Sequence, residues 1–224
     1  MPARPLVVAF DIIETTIPLE PLRACFIEAG LPATGLEHWF SIGLRDAFAL
    51  GAAGEYKPFM TVLQSAFAEL FAVHGLEPTD DLARSVEARM KVLPARPGAL
   101  EAFRTLHERG IRIFALTNGS HASTTKILDD NGLLGMVEQV ISTDEIGLPK
   151  PQPQVYRYLL EKAGQPAAQT ALVATHGWDL HGAAAVGLTT AFVRYRQPFP
   201  EALRSPDLEA PSLPRIARQL LDLA

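Results

Sequence analysis

Short apolar runs rich in β-branched residues recur at residues 6–10, 111–116, 139–142, 171–174 and 190–193, and most are separated by segments of helical length and pattern. That alternation is the signature of a parallel sheet, because neighbouring parallel strands need a crossover of a dozen or more residues. One interval breaks the rhythm. The first two runs lie about 100 residues apart, and residues 19–93 are rich in helix-forming Ala, Leu and Glu with no comparable apolar run. The pattern therefore predicts an α/β chain whose sheet is built from residues 1–17 and 94–224, with a helical insertion, or cap, at 18–93. The expected hinges are the Ile17-Pro18 exit and the Leu93-Pro94-Ala95-Arg96-Pro97-Gly98 return, where prolines and a glycine punctuate the pattern. A helix over about 98–108 should lead back into the sheet. The Pro-containing stretch 197–214 reads as a surface connection before a last helix.

Composition narrows the classes of partner. With 224 residues, 48% of them hydrophobic, the chain can bury a full core. The formal net charge of −5 is spread over 20 basic and 25 acidic residues without long runs of one sign. That leaves no electrostatic footprint for nucleic acid or an anionic membrane, so the expected partner is a small-molecule substrate. The single cysteine, Cys25, excludes an intramolecular disulfide framework and fits a reducing compartment. The apolar run at 6–10 is too short for a signal peptide or a membrane span, and a cytoplasmic location is the expectation.

In open parallel sheets ligands gather at the carboxyl ends of the strands, so polar residues there come first. The first strand ends in Phe10-Asp11-Ile12-Ile13-Glu14-Thr15-Thr16 and the second in Leu116-Thr117-Asn118-Gly119-Ser120. The third leads through Asp144 to Pro149-Lys150-Pro151, and the fourth ends in Thr175-His176-Gly177-Trp178-Asp179. One edge of the sheet thus collects a carboxylate, hydroxyls, an ammonium and a second carboxylate. A desolvated, oriented carboxylate can attack an electrophilic carbon or phosphorus and split one hard step into two. Asp11 is the candidate nucleophile. Lys150 would hold it ionised, Thr15 and Thr117 would donate hydrogen bonds to its oxygens, and Asp179 would pair with the lysine or steer a water. Asp179 also reads as a helix cap. His176 reads either as a base toward water or as a loop hydrogen-bonding group.

This set resembles the four motifs of the haloacid dehalogenase superfamily, and is most similar to its 2-haloacid dehalogenase branch. Asp11 and Thr15 match the first motif, Thr117 and Asn118 the second, Lys150-Pro151 with Tyr156 the third, and Trp178-Asp179 the fourth. The resemblance implies a Rossmann-like core with a helical cap, an aspartyl-ester intermediate, a possible homodimer, and Asn118, Phe40, Tyr156, His176 and Trp178 as substrate-binding candidates.

Departures from the motifs bear on the branch. Phosphatases of the superfamily carry a second aspartate two residues after the nucleophile, where this chain has Ile13; their paired acids in the fourth motif correspond here to Thr175 and Asp179. Isoleucine neither protonates a leaving group nor ligates magnesium, and a halide departs without a proton. The expectation is a metal-independent hydrolase with no cofactor that cleaves a carbon–halogen bond in a small 2-haloacid. Mg²⁺ would be needed only under the alternative of a phosphatase with an atypical first motif, and a third reading is a degenerate ligand-binding protein. Within the dehalogenase pattern, Glu14 stands at a glycine position, Ile13 at an aromatic one and Phe40 at an anion-binding arginine. Arg45 and Arg23 are the nearest cations in sequence to Phe40, and Phe40 and Trp178 are expected to line the cleft.

Overall fold

In the computed structural model, residues 2–195 and 197–224 are described. Strands β1 (Val7–Asp11), β2 (Arg112–Thr117), β3 (Val137–Ser142), β4 (Thr170–Ala174), β5 (Thr189–Val193) and β6 (Leu208–Ala210) form one sheet in the order β3-β2-β1-β4-β5-β6. Every adjacent pair is parallel. All five residues of β1 and of β4 are buried, as strands covered on both faces must be. The chain runs outward through β2 and β3 on one side of β1 and returns to β4 on the other. Asp11, opposite Leu116 at the carboxyl end of β1, therefore sits at the point where the strand order reverses and a crevice opens.

Four α-helices make up the insertion after β1: α1 (Arg23–Glu28), α2 (Gly35–Ala52), α3 (Phe59–Val73) and α4 (Asp80–Met90). They are built around Trp39, which is fully buried, stacks on Phe67 at 5.1 Å and donates its indole N–H to Leu63 O at 2.8 Å. Gly43 lets α2 and α3 close on each other, since a Cβ there would lie 2.4 Å from Leu63 Cδ2. The insertion also touches the sheet layer directly. Tyr56 Oη donates to Asp144 Oδ1 at 2.6 Å, and Gln152 Nε2 donates to Gly51 O at 2.9 Å.

The helices that alternate with the strands are α5 (Ala99–His107), α6 (His121–Asp130), α7 (Pro153–Ala163), α8 (Gly177–Ala185) and α9 (Leu213–Leu221). The 197–214 stretch is more than the expected surface connection, because it contains β6. That strand has only three residues, too few for a period-2 pattern to show in the sequence. It is made by its partners: Arg194 N–H donates to Ala210 O at 2.9 Å, and Asp207 Oδ2 accepts from the N–H and hydroxyl of Thr190 at 2.8 and 2.9 Å. Among the described residues no helix is long and apolar enough to cross a membrane.

One close approach holds the third and fourth strand-end loops together. A Cβ at Gly182 in α8 would lie 2.7 Å from Pro151 Cβ, from Pro151 O and from Tyr156 Cε2. Gly182→Ala is expected to lower stability by about 1–3 kcal/mol through overpacking against this backbone. Gly135→Ala, with open space around it, should leave the urea midpoint unchanged. Equal midpoints for the two variants would mean that α8 shifts freely against the Lys150–Pro151 turn.

Candidate active site

The loop after β1 folds back on its own strand. Thr16 Oγ1 donates to Asp11 O at 2.8 Å, and the N–H groups of Thr16 and Ile17 return to Ile12 O at 3.0 and 2.8 Å. This reversal brings the Thr15 hydroxyl to Asp11 Oδ2 at 2.5 Å, and the same hydroxyl accepts the Thr175 N–H at 2.9 Å. The turn requires Glu14 to take φ +69°, a left-handed conformation costing on the order of 1–3 kcal/mol for a residue with a Cβ. Several contacts hold it there. Arg96 donates to Glu14 O from Nη2 at 2.7 Å and from Nε at 3.2 Å, and Glu14 Oε1 accepts the Leu19 N–H.

Lys150 is completely buried. Its ammonium donates to Asp11 Oδ1 at 2.9 Å and to Asp179 Oδ2 at 2.8 Å, so a cation from beyond β3 bridges carboxylates from the ends of β1 and β4. Tyr156 Oη donates to the other Asp179 oxygen at 2.6 Å, and Asn118 Oδ1 accepts the Lys150 backbone N–H at 3.1 Å. Burial pushes the Asp11 carboxyl up, but Lys150 and then His176 outweigh it and hold it down at about 2. For Asp179 burial wins over the lysine, and the Asp11 charge adds to it, so its pKa rises. Burial lowers the Lys150 pKa, yet the two carboxylates more than reverse this and raise it. Lys150 therefore remains an ammonium at neutral pH, and Asp11 remains a carboxylate.

On its open side Asp11 meets His176, the residue preceding α8, whose Nδ1 lies 3.4 Å from Asp11 Oδ2 and is buried with no hydrogen-bond partner among the described residues. The imidazole is sandwiched. Phe40 from α2 stacks on it at 5.9 Å and Trp178 at 5.1 Å, and Phe48 meets Trp178 edge-on at 5.2 Å. A cleft of about 530 Å³ passes this stack, with Phe40, His176, Trp178, Arg96 and Tyr195 in its wall.

The insertion thus presents an aromatic ring at this wall. Arg45 turns away to Glu69, at 2.8 and 2.6 Å, and Arg23 lines the cleft but is held by Glu20 and Glu37 at 2.7 and 2.9 Å. The donor set is a poor fit to Mg²⁺. Ile13 brings no carboxylate, the Thr175 hydroxyl is spent on Val193 O at 3.0 Å, and both Asp179 oxygens are taken by Lys150 and Tyr156.

Residues 7–187 match the family model of haloacid dehalogenase-like hydrolases. The chain belongs to that family. A haloacid dehalogenase-like hydrolase with this sheet and insertion has relatives of known name. Over 212 residues it is 29% identical to (S)-2-haloacid dehalogenase of Pseudomonas sp. (strain YL), covering 92% of this chain and 90% of the relative. Over 129 residues it is 33% identical to haloacetate dehalogenase H-2 of Moraxella sp. (strain B), but that match spans only 57% of this chain and 56% of the relative. The structure of L-2-haloacid dehalogenase from Xanthobacter autotrophicus with chloropropionic acid covalently bound superposes with a TM-score of 0.87, covering 98% of this chain and 100% of that one. At 22% identity that likeness is one of fold.

In this hydrolase, Asp11, Thr15, Lys150, Asp179 and His176 converge as the motif spacing predicts, and Phe40 and Trp178 reach the cleft. Other expectations need correction. Tyr156, expected against substrate, is fully buried behind Asp179. Asn118 likewise positions the Lys150 backbone. The Thr117 hydroxyl, expected to donate to the nucleophile, accepts the Gly119 N–H at 2.9 Å. Asp179 does not cap α8; His176 is the N-cap residue, and Asp179 points from the first turn to the lysine. Sequence reading missed Arg96 as a support. Its guanidinium lies 3.9 Å over the Tyr195 ring, and Tyr195 Oη donates to Thr15 O at 3.2 Å. Its place between the two prolines of the return hinge was the available signal.

Lys150→Met leaves two buried carboxylates without their cation and should cost about 3–5 kcal/mol at pH 7. The Asp11 pKa is depressed in the folded state, so its contribution is present above its ordinary 3.8 and lost as pH falls through about 2. The deficit of the variant measured by urea denaturation should therefore narrow between pH 5 and pH 2, and a constant deficit would contradict the assigned pairing.

Proposed function

We propose that this hydrolase cleaves the carbon–halogen bond of a small 2-haloacid through an ester on Asp11, without a metal ion or other cofactor. The observation that carries this reading is the Lys150 ammonium 2.9 Å from Asp11, with Ile13 standing where a proton donor to an alkoxide would be required. The relatives named as 2-haloacid dehalogenases support it.

One Asp11 oxygen attacks the carbon bearing the halogen, and the halide leaves with the bonding pair. Its departure needs no acid. Thr15 and Lys150 hold the carboxylate in one orientation, and the aromatic wall keeps bulk water from solvating it. In the second step water adds to the carbonyl carbon of the ester. His176, 3.4 Å from the Asp11 oxygen and otherwise unpartnered, takes the proton from that water, while Lys150 offsets charge developing on the carbonyl oxygen. Collapse breaks the bond to the substrate oxygen, which takes the proton back from His176 to leave as the 2-hydroxyacid, and regenerates Asp11. Tyr156 acts through Asp179 by fixing the lysine. The substrate carboxylate meets an aromatic ring at Phe40, so its charge must be matched by Arg96 or Arg23 in the cleft wall.

Single-turnover hydrolysis of 2-bromopropanoate in ¹⁸O-water should place label in Asp11; label found only in the hydroxyacid would mean direct attack by water. Halide release should be unaffected by EDTA. Metal-restored turnover of p-nitrophenyl phosphate would instead establish the phosphatase reading. His176→Ala should slow turnover by about 10²–10⁴-fold while the aspartyl ester accumulates in mass spectra. An equal slowing with no ester would place His176 before the first step.

A further inference from the structure

A second cleft, about 440 Å³ in volume, opens on the other side of the first strand-end loop from His176. Its floor is made by Ile12 and Ile13, the two residues after Asp11, and by Gly119, the second residue beyond β2. Its walls are Met60 of α3, Met90 of α4 and Ile127 of α6, so it lies between the insertion and the sheet layer. Charged side chains, Glu87, Lys91 and Lys126, also line it; all three are exposed to solvent, and Lys91 and Lys126 are paired on their own helices with Glu87 and Asp130 at 2.8 Å. The two lysines are thus already met by carboxylates of their own helices. Ile12 and Ile13 tie the cleft to the site, because they directly follow Asp11 in the chain and line the cleft with Gly119.

Such a volume falls in the range of about 300–1,000 Å³ that holds a whole small molecule, and a two- or three-carbon acid fills little of it. We propose that this cleft receives the carbon chain of the substrate, so that the enzyme acts on 2-haloalkanoates with an unbranched chain of several carbons. The inference rests on the dehalogenase reading for its chemistry and on the cleft alone for chain length. A chain leaving the carbon attacked by Asp11 passes Ile13 and runs between Met60, Met90 and Ile127. Methionine suits this duty, since its unbranched side chain repacks around ligands of different length.

The test measures two quantities on the intact protein. Halide release is followed over a series from 2-bromopropanoate to 2-bromooctanoate, and binding of the unreactive n-alkanoates from propanoate to octanoate is measured by calorimetry. Burial of each methylene should raise kcat/KM and tighten Kd by about fourfold until the cleft is full. Ile127→Trp and Met90→Trp, which fill the cleft, should abolish the chain-length gain in both series while still unfolding cooperatively. Flat series in both measurements, or variants that lose nothing on the long substrate, overturn the proposal while halide release from the short acid still upholds the dehalogenase. Affinity that grows with chain length in a protein releasing no halide upholds the cleft and overturns the chemistry.

Discussion

A single buried ammonium organises this molecule. Lys150 has no exposed surface and lies within 2.9 Å of two carboxylates that come from distant parts of the chain, Asp11 and Asp179. An unpaired charge in that position would be severely unfavourable, so the ends of β1 and β4 and the loop after β3 must meet at one point for the fold to be stable. The surrounding contacts serve the same end. Asn118 holds the Lys150 backbone, Tyr156 completes Asp179, and Gly182 allows α8 to pack on Pro151. The same cluster divides its charge unevenly. Asp11, with both the lysine and His176 beside it, is the carboxylate kept ionised, whereas burial raises the pKa of Asp179.

The open face of Asp11 has a different character. There the insertion contributes aromatic surface, and the stack Phe40–His176–Trp178–Phe48 shields the carboxylate. An arginine on α2 would have supplied a forked anion receptor. With Phe40 at that position, the guanidinium groups in the cleft wall, Arg23 and Arg96, already have partners, and an imidazole stands next to Asp11.

The hinge region shows how local cost is met by tertiary contact. Glu14 occupies a left-handed turn that glycine would enter freely, and its conformation is secured by Arg96 from the return hinge. Arg96 is in turn stacked on Tyr195, which bonds to Thr15 O. Exit and return of the insertion are thereby tied to the loop that aims Asp11. The motif residues were legible because strand ends in a parallel sheet follow from apolar runs and their polar successors. These supports were not, because an arginine between prolines and a tyrosine after the last long strand carry no periodicity.

The amino-acid order alone determined the parallel sheet, the helical interval between its first two strands and the identity of the groups gathered on one edge, since hydrophobic periodicity and strand-end position are local properties. Tertiary structure decided their duties. It put Tyr156 and Asn118 behind the site, gave the nucleophile its hydrogen bond from Thr15 while Thr117 bonded to Gly119, made a strand of residues 208–210, and turned Arg45 away from the cleft. The physical reason is that a hydrogen bond or an ion pair depends on separations of a few ångströms between residues far apart in the sequence, 180 positions for Tyr195 and Thr15, which only the packed chain specifies.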